Sequence, residues 1–207
     1  MMNSFDEPYK SINCPQCGAP LPLYFAHTKL TQCQSCGSSI FLEDEEARSA
    51  GFSSVLAPEP SLIKLHQPFS ISSKSYMPLG MIRYSYGRGF WEEWWIKDSD
   101  NEEYWLSVDE GDMVLEQQRD NLDDPKIFKS AYIGHVVGAG WMVTEIGVGR
   151  CEGFSGSLPR GIIEGQEHKY IHLSGSGVLL KTLELDTAGM RTYVGRWIDP
   201  FDIKVGL

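Results

Sequence analysis

The chain lacks any apolar run long enough to cross a bilayer. Its longest weakly polar stretch, Ala131–Val143, includes His135 and three glycines and falls short of the ~20 residues a spanning helix needs. Met1–Lys10 has no basic segment followed by an apolar one, so no secretory signal and no membrane insertion are expected, and the expected compartment is the cytoplasm. Positive charge is scarce. Eighteen Lys and Arg stand against 28 Asp and Glu, a net charge of −10. Sequence-independent binding to nucleic acid needs cations that displace counterions from phosphates, so nucleic acid is not an expected partner. Helical periodicity is missing as well: no segment sustains a 3.6-residue period over 12 residues. Catalytic motifs are also missing. Gly153–Ser157 departs from the G-x-S-x-G elbow at its last position, and the glycines around Gly147 have neither a P-loop lysine nor a G-x-G-x-x-G.

What the chain does have is a cysteine pattern. Four of its five cysteines form two pairs, Cys14-Pro-Gln-Cys17-Gly18 and Cys33-Gln-Ser-Cys36-Gly37, with 15 residues between them. In a reducing compartment this C-x2-C…C-x2-C spacing suggests metal rather than disulfides. Two residues between thiolates let one tight turn aim both sulfurs at one ion, and the following glycine permits positive φ. Four soft thiolates select zinc, so one structural Zn2+ is expected at Cys14, Cys17, Cys33 and Cys36. A closed tetrahedral shell leaves no position for substrate. His27, between the two pairs, reads as a loop histidine.

The rest of the chain reads as strands. Met81–Tyr86, Phe90–Lys97, Tyr104–Val108, Met113–Gln117, Trp141–Val148, Tyr170–Leu173, Val178–Leu185 and Thr192–Ile198 carry aromatic or β-branched residues, with turn clusters between them. The expected fold is mainly β: an N-terminal zinc ribbon over residues 10–45, an acidic turn and proline linker over 46–61, and an antiparallel β sandwich or partly open barrel over 62–207. The segment Glu43–Gly51 reads as a short acidic helix or turn. A weak repeat at an offset of about 65–68 residues sets Leu65–Pro68, Tyr76 and Leu106 against Ile133–His135, Trp141 and Leu173, which suggests lobes 62–128 and 129–207. Chance similarity between glycine-rich strands explains the same match.

Charge is concentrated in one hairpin. Glu92–Asp124 holds 13 acids and two bases, and four of the six tryptophans, Trp91, Trp94, Trp95 and Trp105, lie in or beside it. Alternation puts Trp94 and Ile96 on one strand face and Trp91, Glu93, Trp95 and Lys97 on the other. One face is expected in the core. The other, with the turn residues Asp98, Asp100, Glu102 and Glu103, is expected to form an acidic aromatic surface for a cationic partner. The turn lacks the glycine and glutamate spacing of an EF-hand loop.

The whole arrangement resembles a bacterial family known as domain of unknown function 4178, often joined to an N-terminal zinc ribbon. The matching residues are the ribbon cysteines, Trp91-Glu92-Glu93-Trp94-Trp95, Trp105-Leu106-Ser107 with Asp109-Glu110-Gly111, and Gly153–Pro159. The resemblance implies a non-catalytic β module linked to membrane-stress or polyamine-related systems. The chain departs from the family pattern at Ser157, where an acid is expected before Leu158-Pro159, so a role for that acid does not carry over.

These features point first to a non-catalytic, zinc-binding adaptor whose hairpin meets a protein with a basic patch. The alternative is a sensor for a polyamine or another small cationic ligand. The third class is a hydrolase using Cys151 or a histidine such as His135. The partner's identity and the oligomeric state are not encoded in a readable motif.

Overall fold

The computed structural model of the protein describes residues 8–43, 46–53, 56–57, 59–119 and 123–206. The chain begins with four short strands, β1 (Lys10–Asn13), β2 (Pro20–Leu23), β3 (Leu30–Gln32) and β4 (Ser38–Glu43). Each cysteine pair sits in the turn of a hairpin, β1–β2 or β3–β4. A fifth strand, β5 (Glu46–Ser53), pairs antiparallel with β4. That corrects the expected acidic helix or turn: Ala47 and Arg48 pair with Leu42 and Phe41 across the sheet. Asp44 and Glu45 lie outside the described residues, as does Pro58 of the expected linker.

Next come β6 (Phe69–Ile71) and a meander of four strands, β7 (Lys74–Ser85), β8 (Phe90–Asp98), β9 (Glu103–Asp109) and β10 (Asp112–Arg119). A short helix, α1 (Ile127–Ser130), and β11 (Val136–Val137) lead to a second meander, β12 (Trp141–Leu158), β13 (Glu167–Ser174), β14 (Leu179–Asp186) and β15 (Gly189–Ile198). A 3-10 turn at Pro200–Asp202 and β16 (Ile203–Val205) follow. All pairings are antiparallel. β10 pairs with β15, and β7 pairs with β12, so the two meanders join at both edges into a ring of eight strands. Closure removes the sheet edges that would otherwise invite aggregation. Eight strands leave an interior that side chains fill, or that holds one small ligand.

The expected strands recur as β7–β10 and β12–β15, with two large extensions: β7 begins at Lys74 rather than Met81, and β12 is longer still. The strand beginning at Trp141 runs on to Leu158. Its first half pairs with β13, its middle with β7, and its end with β3. Glycines make this route possible. A methyl group on Gly149 would sit 2.2 Å from the Trp91 ring, and one on Gly80 would sit 2.0 Å from the Ser157 carbonyl oxygen.

Strand alternation gives each barrel strand an inner and an outer row. On β8 the inner row is Trp91, Glu93 and Trp95; the outer row is Glu92, Trp94 and Ile96. The outer row packs with Ile63, Phe69, Ile71, Leu106, Met113 and Ile203 beneath β6 and β16. Around the second meander, Ile171, Leu173, Leu183 and Met190 pack under Phe128, Val137 and Trp141. Both faces of the barrel wall are therefore largely buried.

The ribbon continues the same sheet. Leu30 and Thr31 of β3 pair with Leu158 and Ser157 of β12, and the Thr31 and Ser157 hydroxyls lie 2.9 Å apart. Phe25 and Leu30 join the inner core cluster with Trp95 and Trp105. The ribbon thus closes one end of the barrel.

Candidate functional site

Two sites emerge, a thiolate cluster in the ribbon and a charged cavity in the barrel. In the ribbon the sulfurs of Cys14, Cys17, Cys33 and Cys36 all lie within 4.8 Å of one another. Cys14 and Cys36 are 3.8 Å apart at sulfur, and Cys17 and Cys33 are 3.7 Å apart. These separations are far beyond a disulfide bond. They equal the edge, about 3.8 Å, of a tetrahedron with metal–sulfur bonds of about 2.3 Å. Gly18 and Gly37 have φ of 76° and 74°, and their amides donate to the Cys14 and Cys33 carbonyls at 2.8 Å. The two knuckles are thus equivalent turns, and together they could hold a metal ion. His27 is not a ligand: its Nε2 lies 2.8 Å from Glu103.

The barrel cavity has a volume of about 140 Å³. Its wall carries the rings of Trp91, Tyr170 and Trp197, the carboxyls of Glu93, Asp109, Asp112, Glu116, Glu145 and Glu184, and the imidazoles of His168 and His172. Polar inner residues on β10, β13 and β14 stand opposite apolar outer ones, the reverse of an ordinary half-buried sheet.

Arg160 enters the barrel from the loop after β12. Its Nη1 donates to Glu184 and to the Tyr193 hydroxyl, both at 3.1 Å. Its Nη2 donates to the Tyr84 hydroxyl at 3.0 Å and to Glu93 at 3.4 Å. The guanidinium lies 5.0 Å from the Trp105 ring centre. Arg191 donates its Nε to Glu184 at 3.1 Å and its Nη2 to Asp186 at 2.6 Å.

The three inner glutamates therefore differ in their compensation. Burial pushes the Glu184 carboxyl up, but Arg160, His168 and Arg191 outweigh it and hold it below the usual range. Glu93 shares Arg160 and accepts from Trp91 Nε1 at 3.2 Å; burial and Glu184 push it up. Glu116 meets no cation. It accepts one hydrogen bond, 2.8 Å, from Thr182, and burial raises it to about 8. Nearer the mouth, Glu145 accepts from the Tyr170 hydroxyl at 2.8 Å and lies 3.0 Å from His172 Nδ1, which holds it down. Burial and the neighbouring Glu110 and Glu145 raise Asp109. The interior carries more carboxylates than cations.

The residues expected to form a partner surface are divided by this structure. Trp95 is 1% exposed, Trp91 is buried, and Glu93 bonds Arg160 inside the barrel. They do not present a surface, because both faces of β8 are covered. Asp98 is buried too; it accepts from the Asp100 and Glu102 amides and pairs with Lys74, which shapes the hairpin turn. Asp100 and Glu102 are exposed in that turn, and Glu103 pairs with His27. Cys151 is buried, and burial raises its thiol to about 11, so it stays protonated. The sequence reading missed Glu116, Arg160, His168, Thr182 and Glu184. The available signal was polar residues two apart on three strands, Asp112 with Glu116 at four, His168 with Tyr170 and His172, and Thr182 with Glu184.

Among the described residues, no helix is long and apolar enough to cross a membrane. No curated protein and no solved structure matches the chain. Residues 65–200 match the family described as a domain of unknown function, DUF4178. That span contains the entire eight-stranded ring and Arg160. The chain belongs to the DUF4178 family, with a four-cysteine ribbon ahead of its family domain.

Proposed function

We propose that this chain is a non-catalytic binding protein whose barrel receives a small organic cation and whose ribbon holds one structural zinc. The carrying observation is the charge imbalance of the cavity, where six carboxyls and three aromatic rings line a space of about 140 Å³. Rings attract an ammonium group through their quadrupole, and carboxylates supply Coulomb attraction strengthened by low local dielectric. A cavity of similar size holds a ligand of about six heavy atoms. This favours the small-cation reading over a docking hairpin, since Trp91, Glu93 and Trp95 lie inside.

The zinc assignment rests on four thiolates at tetrahedral spacing, a set that suits zinc and leaves no open position for chemistry. Reduced thiolates suit a reducing compartment such as the cytoplasm. The buried, protonated Cys151 supports a binding role rather than a hydrolytic one.

The test is a fluorescence titration with spermidine and with n-butylammonium, because Trp91 borders the cavity. A saturable change at micromolar to low millimolar ligand is expected, and Trp91→Phe should reduce its amplitude. A flat response to every amine up to 10 mM, with Tm also unmoved, rules the reading out.

A further inference from the structure

Among the described residues, Glu116 is a buried carboxyl of the cavity with no cation bonded to it. Glu116 is 6% exposed, and one of its oxygens accepts from Thr182. Its other oxygen has no protein partner among the described residues. Of the charged and titratable groups around it, Glu93 stands on β8, Glu184 on β14, His168 on β13, Tyr193 on β15 and Asp112 on its own strand. β9 places Trp105 across the ladder from it and Asp109 farther along the same cavity wall. Arg160, the guanidinium bound to Glu93 and Glu184, makes its four hydrogen bonds to Glu93, Glu184, Tyr84 and Tyr193 and none to Glu116.

An ionised carboxylate left unpaired at this burial is costly, so the site has two stable states. It can carry a proton, or it can carry a cation with an N–H to donate. Resting on the cation-binding reading, we propose that the barrel exchanges one proton for one primary ammonium group at Glu116. The step balances simply. The carboxylic acid loses its proton to solvent, and the ammonium takes its place as the donor to the freed oxygen. The ammonium keeps all three of its protons.

This names the ligand class more narrowly. Six of the side chains that line the cavity are carboxyls, and a carboxylate oxygen is satisfied by an N–H donor. A quaternary ammonium has none to offer. Ring attraction alone would treat the two cations alike. The exchange therefore separates a carboxylate-centred site from an aromatic cage.

It also sets a sign for pH. Protons compete with the amine at Glu116. Burial holds that carboxyl well above its usual range, while an alkylammonium stays charged to about pH 10. Affinity should rise with pH by up to about tenfold per unit through the neutral range and level off above Glu116's titration.

The experiment is isothermal titration of the full zinc-loaded chain with n-butylammonium chloride at pH 7, in two buffers of different ionisation enthalpy. About one proton released per amine is expected, with tetramethylammonium binding at least tenfold more weakly. Glu116→Gln keeps the shape and the Thr182 contact; it should lose the proton release and bind at least tenfold more weakly. Butylammonium heats that do not depend on buffer, or equal binding of tetramethylammonium, overturn the exchange while leaving a cation site intact. No binding of any amine removes the exchange and the cation-binding reading together.

Discussion

The Phe25 ring of the ribbon lies against Trp95 of the barrel, with centroids 4.4 Å apart. Lys97 Nζ lies over the same Phe25 ring, 4.6 Å from its centre. The ribbon is thus the floor of the barrel, and the order of the metal knuckles bears on the inner core. A segment as short as the ribbon buries too little apolar surface to fold by itself, so a metal held by its four cysteines would supply folding free energy.

Chelation should therefore be felt at Trp95. Removing the metal with a strong chelator is expected to release one zinc per chain, to melt the ribbon strands and to shift tryptophan emission to the red. Phe25→Ala should keep the metal yet destabilise the chain by about 3–5 kcal/mol, the usual cost of truncating a buried aromatic. Unchanged emission after complete metal removal contradicts the floor assignment.

Arg160 ties the two meanders together by bonding Glu93 of β8 and Glu184 of β14. Arg160→Ala leaves two buried carboxylates short of a partner. A loss of about 3–5 kcal/mol in denaturant unfolding is expected, as for other broken buried ion pairs. A loss under about 1 kcal/mol would show that water or a rearranged side chain replaces the guanidinium without cost.

The inner glutamates give stability a pH dependence with two signs. Glu184 has a depressed folded pKa, so its contribution is present above the ordinary glutamate range, about 4.3, and is lost as pH falls. Glu116 is raised to about 8. Between the ordinary range and that value the folded state binds more protons than the unfolded state, so stability falls as pH rises. Glu116→Gln removes Glu116's share of this second slope and leaves that of Glu93, which burial and Glu184 also raise. Its Tm should match the parent near pH 5 and exceed it at pH 8.5. A parallel pair of Tm curves from pH 5 to 8.5 contradicts the assignment.

Much of the fold was legible in the sequence, for local reasons. The cysteine spacing and Gly18 and Gly37 encode two equivalent knuckles within a few residues each, and period-two patterns mark β7–β10 and β13–β15. A partly open barrel was one of two architectures the strand pattern allowed; its closure was not legible, because it depends on β7 meeting β12 and β10 meeting β15 across about 65–85 residues of chain. β12 was cut short at Val148 because Gly149, Gly153 and Gly156 look like turn residues. In the structure Gly149 leaves its position empty for the Trp91 ring. The site was half legible. Alternation sorted Trp91, Glu93 and Trp95 onto one face, but it cannot say which face is inside when both are covered. A polar interior inverts the usual rule, so an acidic row was read as surface. Arg160 carries no pattern at all: it is one basic residue in a loop, and only the closed barrel gives it four acceptors.

The barrel interior holds fewer cations than carboxylates, and in the proposed reading a small ammonium makes up the difference. The direct measurement is Tm at pH 7 with n-butylammonium chloride beside its neutral counterpart, n-butanol, at equal concentration and ionic strength. At ten times the dissociation constant the cation should add about 1.4 kcal/mol, which for a chain of this size raises Tm by about 3–6 °C. The alcohol should leave Tm unchanged. An equal rise with both, or none with either, contradicts the account.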